Sequence, residues 1–302
     1  MEREGKIFII IINYNGLSDT LKCLKSLEKV KVEKYKVKTL VIDNASQKNE
    51  LAVIHQRFHK VITVQNNQNL GFTGANNLGV NRALKEGADY LLLLNNDTVV
   101  TPDFLRSLIH FIHHKKRVGV IAPVMLLQRE GRMVYNVGGK IRPFGRCPNI
   151  VISALEGFRP KKVDYVCGAG LFTSREVIEK VGLLDDNYFF GFEDIDYCQR
   201  AKKLGYEIWI DPQAVITHKE GGSLKETAPL KIYYNLRNNL IFVTKFFNIY
   251  QKTVALFYLV SISLKICTNN RFFYRPVYWA WYDFLTHRSG KVRSDLETKL
   301  HS

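Results

Sequence analysis

The chain has 302 residues, 46% of them hydrophobic and 24% charged, a composition that suits one large domain with an appendage, or two domains, and excludes a disordered chain. Its 44 Lys and Arg against 28 Asp and Glu leave a formal charge of +16, so an anionic partner is expected: nucleic acid, acidic lipid headgroups or a phosphorylated substrate. Five cysteines without a CxxC pair or regular spacing argue against a zinc site and a disulfide framework, and fit a reducing compartment.

The first element is the short apolar run Ile7 to Ile12, which passes directly into polar Asn13; it reads as a strand and not as a signal peptide. Leu17, Leu21, Leu24 and Leu27 follow at helical spacing, then VKTLVID as a strand, a helix through Leu51 and Ile54, and KVITVQ as a third strand. This punctuation predicts βαβ units and a parallel sheet. The Gly- and Asn-rich loop NLGFTGANNLG opens a helix through Val80 and Leu84. YLLLLNND at 90–97 is next, a continuous apolar run expected of a central strand, stopping on Asn95, Asn96 and Asp97. Thr101 and Pro102 mark the cap and first turn of another helix.

Residues 128–162 are rich in Gly, Pro, Arg and Lys; hairpins and a flexible active-site loop both fit. DYVCGAGLFTSREVIEKVG reads as strand, turn and short helix. In NYFFGFEDIDYCQRAKKLGY, Ile195, Cys198, Ala201 and Leu204 recur every third residue, which predicts a short helix packing one face. EIWIDPQAVITH looks like a last strand ending on His218, and no internal repeat is visible. Residues 219–302 change character, with 13 Lys and Arg against 5 Asp and Glu and dense aromatics. The longest uncharged stretch there, Thr253 to Leu264, is shorter than the ~20 residues of a membrane-spanning helix. Two readings stand side by side: a basic, aromatic appendage lying in a membrane interface, or helices packed on the preceding domain.

Several motif readings fall away. Gly71, Gly74 and Gly79 do not form G-x-G-x-x-G, and neither a P-loop nor a G-x-S-x-G elbow occurs. The acidic DDNYFFGFEDID lacks the residue order of a calcium loop. What remains is a set of polar strand ends: Asn13 and Tyr14, Asp43 and Asn44, Asn69 to Asn77, and Asp97. Singly, each is more often a cap or turn residue. Four successive strands ending this way on one sheet edge favour a nucleotide cleft.

In this same order NYNG (13–16), VIDNAS (41–46), NLGFTGANN (69–77), LLNND (93–97), CGAGLFTSR (167–175) and FFGFEDIDYCQRAKKLGY (189–206) resemble the motifs of family 2 glycosyltransferases, most similar to the bacterial rhamnosyltransferase branch. The resemblance reaches His218 in ITHKEGGS and, more weakly, YYNLRNN at 233–239. It covers roughly residues 5–240 and implies an α/β GT-A fold, a mostly parallel central sheet flanked by helices. On this reading 1–218 form the catalytic domain, and 219–302 a helical segment packed on it or at the membrane surface.

The resemblance further implies an inverting transferase that moves a sugar from a nucleoside diphosphate to an acceptor hydroxyl. L-Rhamnose from dTDP-L-rhamnose is the expected donor, a UDP-hexose the alternative. The acceptor is a polysaccharide or a lipid-diphosphate-linked saccharide at the cytoplasmic membrane face, where anionic lipid would attract the basic C-terminal segment. Asp194 becomes the general base, with Glu193 beside it and Asp196 near, like charges that raise its pKa. Asp97 takes the place of the second carboxylate of a D-x-D motif, and with His218 would hold Mg²⁺ or Mn²⁺. Asn95 stands where many relatives have Asp, which weakens the case for strict metal dependence. Asp43 would accept the N3–H of a pyrimidine, with Asn13 and Tyr14 along base or ribose, and Asn44, Asn69, Gly71, Asn77, Asn95 and Asn96 completing the donor side. Basic residues of 140–162 would close over the diphosphate. Gly168, Ala169 and Gly170 would floor the sugar and acceptor. A nucleic-acid-binding protein is the competing class; no recognition module interleaves with the basic residues, and strand-end acids would repel phosphate.

Overall fold

The computed structural model describes residues 4–129, 131–219, 228–294 and 296. Its first half alternates strands and helices as the punctuation predicts: β1 (Gly5–Asn13), α1 (Leu17–Leu27), β2 (Tyr35–Asp43), α2 (Glu50–Arg57), β3 (Ile62–Gln65), α3 (Gly71–Lys85) and β4 (Tyr90–Asn95). There follow β5 (Thr98–Val100), α4 (Phe104–His114), β6 (Val118–Arg129), β7 (Arg132–Gly139), β8 (Asn149–Ile152), β9 (Lys161–Lys162), β10 (Gly170–Ser174), α5 (Arg175–Val181), α6 (Glu193–Lys203) and β11 (Glu207–His218). Three helices close the chain: α7 (Ala228–Phe246), α8 (Ile249–Asn269) and α9 (Tyr274–Leu285).

One sheet runs in the order β3-β2-β1-β4-β10-β6-β11-β5. Its first four strands are parallel. From β4 onward it is mixed: β10 lies antiparallel to β4 and β6, while β6 and β11 are parallel. Ile7 to Ile12 of β1 and Leu91 to Leu94 of β4 are continuously apolar because both faces are covered. Phe8, Ile10, Leu91 and Leu93 join one core, on the side of α3 and α6, while Ile7, Ile9, Ile11, Leu92 and Leu94 join the other, under α1 and α4. Gly79 permits the close approach of α3, since a Cβ there would meet Ile10 Cγ2 at 2.5 Å. Register aligns Asn13, Asp43 and Gln65 in a row at the carboxyl edge, with Asn95 one position back opposite Ile12. The turn before β10 enters beside them, because Gly170 pairs with Leu94.

The structure amends several expectations. α4 starts at Phe104 after Asp103, so Thr101 is not its cap; the Thr101 hydroxyl instead reaches the Val215 carbonyl. Among the described residues of 128–162, β6 pairs antiparallel with β7 and β7 with β8. Ile195, Cys198 and Ala201 are buried on α6, whereas Leu204 ends the helix and is 55% exposed. The uncharged stretch at 253–264 is part of a 21-residue helix, long and apolar enough to cross a membrane by length and composition, because Lys252 and Lys265 lie within α8 rather than ending it. α7 to α9 enclose their own core, including Tyr233, Leu240, Leu259 and Ala280, while Phe242 on α7 turns into the core beside the sheet.

Candidate active site

The strand-end polar residues divide into two groups. In the first, every amide is committed inside the protein. Asn13 is fully buried; its Nδ2 donates to Asp43 Oδ2 and Glu50 Oε2, each at 2.7 Å, and its Oδ1 accepts from Thr20 at 2.6 Å. Asp43 Oδ1 also accepts from the Ser46 backbone N–H and from Gln65 Nε2, both at 2.8 Å, so Oδ1 is filled while Oδ2 keeps a second acceptor lobe. Asn44 donates to Asn69 Oδ1 and the Gly71 carbonyl and accepts from Asn66 and the Leu70 N–H. Asn77 pins α3 to Leu184 and Asp186, and Asn96 ties β4 to Thr20 at 2.9 Å. Asn13, Asn44, Asn77 and Asn96, expected on the donor side, therefore brace the loops of the cleft instead of presenting their amides to it. Tyr14 stands exposed at its rim.

The second group surrounds the turn 167–170. Asn95 donates its backbone N–H to the Ala169 carbonyl at 3.2 Å, and the Gly168 N–H donates to Asp194 Oδ2 at 2.8 Å. One four-residue turn thus touches the end of β4 on one side and the start of α6 on the other. A Cβ on Gly168 would crowd the Phe72 ring at 3.2 Å. Gly71, at φ +72°, lies against the loop leading to α6; a Cβ there would meet the Phe189 carbonyl at 2.3 Å, so this contact requires glycine.

Near that turn, polar atoms are left over. Asp97 Oδ1 is 3.1 Å from His218 Nε2 but outside hydrogen-bonding geometry, and Asn95 Nδ2 is 3.4 Å from the same nitrogen. Oδ1 of Asn95 and Oδ1 of Asp97 are buried with no hydrogen-bond partner. Orphaned buried acceptors cost on the order of 1–3 kcal/mol each, and a cation is a partner that would relieve both. Among the described residues no cluster of three or more His, Cys, Asp and Glu could hold a metal; the set here is one carboxylate, one imidazole and one amide oxygen. Those donors fit Mg²⁺ or Mn²⁺ once diphosphate oxygens join them.

Glu193 and Asp194 open α6. The chain reaches them through Gly191 (φ +83°) and Phe192 (φ +75°), and a non-glycine residue in this region carries strain of about 1 kcal/mol. Burial, and then the charge of Asp194, pushes Glu193 up to about 8, and its Oε2 has no partner. Burial also raises the Asp194 pKa, against the stabilising N–H groups of Gly168 and Ile195. Asp196, expected to add a like charge, is neutralised by Arg200 at 2.6 Å and by Lys245. Within 140–162, Lys162 is held by Glu207, whereas Arg142 and Arg146 are exposed.

Sequence reasoning missed the fastening of this turn. Asn238 on α7, fully buried, donates to the Phe190 and Gly191 carbonyls at 2.9 and 2.8 Å. Its own oxygen is held by Arg237, which donates to Tyr233, and Tyr233 donates to Asp283 on α9. The available signal was the polar cluster YYNLRNN within an otherwise apolar helix.

A mixed sheet with a nucleotide-type cleft at its carboxyl edge, leftover oxygen ligands and a buried acidic pair is the arrangement of GT-A glycosyltransferases. The model described as "Glycosyl transferase family 2" matches residues 8–182: the chain belongs to that family and is a hexosyltransferase. It is 25% identical over 253 residues to dTDP-rhamnosyl transferase RfbF of Shigella flexneri, covering 80% of this chain and 81% of that one. Rhamnosyltransferase WbbL of Escherichia coli is 24% identical over 68% of this chain and 80% of its own. Among solved structures, GalNAc-T7 with UDP, GalNAc and Mn²⁺ shares the fold at TM-score 0.60 and 17% identity, over 80% of this chain. The chain spans about half of that protein, 51% of its length.

Proposed function

We propose that the protein is an inverting transferase that moves L-rhamnose from dTDP-L-rhamnose onto a hydroxyl of a lipid-linked or polysaccharide acceptor, at the cytoplasmic face of the membrane, in surface-glycan synthesis. The observation that supports this reading is the turn 167–170, bonded to Asn95 on one side and to the Asp194 carboxylate on the other, with Asp97 and His218 beside Asn95. The relatives named as rhamnosyltransferases support the donor. A UDP-hexose is the second donor, favoured by the fold shared with a UDP-bound enzyme.

In this mechanism the acceptor O–H gives its proton to Asp194, the acceptor oxygen forms a bond to the anomeric carbon, and the bond from that carbon to the diphosphate breaks on the opposite face. The electron pair leaves with the nucleoside diphosphate. Asp97, His218 and the Asn95 oxygen would hold a divalent cation, which when bound would supply positive charge for the departing diphosphate. Burial raises the Asp194 pKa, making it a stronger proton acceptor, and transfer falls as pH drops through that raised value. Gly168, Ala169 and Gly170 form the floor below the sugar. Asp43 accepts the pyrimidine N3–H on the open lobe of Oδ2, beside the hydrogen bond from Asn13.

A panel of dTDP- and UDP-sugars, assayed for transfer and for hydrolysis, tests the donor: turnover of UDP-hexoses alone would replace rhamnose. Asp194→Asn should retain nucleotide binding in a thermal-shift titration while losing transfer by roughly 10²–10⁴-fold. Wild-type turnover in that variant removes Asp194 from the role of base.

A further inference from the structure

α8 is long and apolar enough to span a bilayer, yet its packing gives it two unlike faces. Ala255, Leu259 and Ser263, at intervals of four, form its buried side, and the Ser263 hydroxyl accepts from the Trp281 indole N–H of α9 at 2.9 Å. Tyr250, Phe257 and Leu264, at intervals of seven, lie on the opposite side and are 76%, 74% and 63% exposed; helical geometry puts those two stripes about half a turn apart. The apolar surface includes Phe272, which is 82% exposed and precedes α9.

The charge around this surface has one sign. Residues 228–294 contain 10 Lys and Arg and a single acid, Asp283, and that acid is buried against Tyr233. Lys265, Arg271 and Arg275 are exposed. The apolar surface also meets the catalytic unit, since Phe144, half-exposed in the β7–β8 connection between exposed Arg142 and Arg146, packs its ring 5.5 Å from that of Tyr258 on α8.

We infer that the Tyr250–Phe257–Leu264 stripe of α8, with Phe272, is a docking face that lies in the plane of an anionic lipid surface, half-immersed and not membrane-spanning. Spanning would require α8 to leave its bed on α7 and α9. α7 is fastened to the catalytic unit by Asn238 at the Phe190 and Gly191 carbonyls and by Lys245 at Asp185 and Asp196, so it cannot follow α8 into a bilayer. Lying flat, the stripe buries its rings among acyl chains while the lysine and arginines meet lipid phosphates. This rests on the lipid-facing location proposed above and names the surface that meets it. Through the Phe144–Tyr258 contact, the loop between β7 and β8 sits at that surface, where a membrane-held acceptor would arrive.

The test is co-sedimentation of the full chain with phosphatidylcholine vesicles, with and without phosphatidylglycerol. Wild type should bind the anionic vesicles, more weakly as salt rises. Phe257→Ser/Leu264→Ser/Phe272→Ser should lower the bound fraction roughly tenfold or more. Lys265→Gln/Arg271→Gln/Arg275→Gln should abolish the preference for anionic lipid. Thermal unfolding and nucleotide binding, measured on the same samples, should be unchanged, which keeps this test separate from the choice of donor. Wild type that ignores vesicles, or variants that bind as wild type does, overturns the docking face. Bound protein that resists alkaline carbonate extraction overturns the in-plane orientation, and a concentration-dependent dimer lost in the serine variant without lipid binding assigns the face to a second copy.

Discussion

Two ends of one cleft treat their polar atoms in opposite ways. Around β1 and β2, Asn13 is paired with Asp43, and Asn44 with Asn66 and Asn69, so the amides of Asn13 and Asn44 are satisfied inside the protein. Around the turn 167–170, oxygens of Asn95, Asp97 and Glu193 are buried without partners. A satisfied network fixes shape, and an unsatisfied one keeps capacity in reserve for a ligand or a proton. The residue type alone does not separate the two, since asparagine occurs in both.

This contrast can be broken by substitution. Asn13→Ala removes hydrogen bonds to two carboxylates and leaves them buried without that donor, so urea unfolding should report a loss of about 3 kcal/mol; a loss below about 0.5 kcal/mol would mean that the network is not structural. Glu193→Gln tests the other end. The folded-state pKa of Glu193 lies above its unfolded value, near 8 against 4.5, so its contribution to stability is complete below pH 4.5 and is lost as pH rises through 8. The variant should therefore gain on wild type by roughly 1–3 kcal/mol at pH 9 relative to pH 5. Parallel stability curves for the two proteins would show that Glu193 does not titrate in this way. The smallest effect is expected for Asn95→Asp, which adds an anionic ligand beside Asp97: calorimetric titration with Mn²⁺ in the presence of nucleoside diphosphate should show roughly tenfold tighter binding. Unchanged affinity would place the ion away from residue 95.

Much of the first half of the fold was legible because each step is local. The apolar runs of β1 and β4 and the leucine spacing of α1 carry their periodicities openly, and their alternation predicts a parallel sheet. β10 was harder, since its five residues gain their meaning from β4 and β6, distant in sequence. The site was legible as a set of positions and not as a set of roles. A strand-end asparagine reads the same whether its amide faces a ligand, as the sequence suggested for Asn44, or a neighbouring carbonyl, as that of Gly71 shows. The length of α8 was hidden by its lysines, which end an uncharged window without ending a helix whose charged heads reach solvent.

The grip of Asn238 on the Phe190 and Gly191 carbonyls bears on how the protein can be divided. A truncation after His218 keeps every strand of the sheet and the carboxylates of Glu193 and Asp194, yet it removes the two hydrogen bonds that hold the left-handed approach to them. On the proposed mechanism the helical tail helps to aim the base, and a minimal active fragment is expected to extend at least through α9, where Asp283 anchors the chain of contacts from Tyr233 to Asn238.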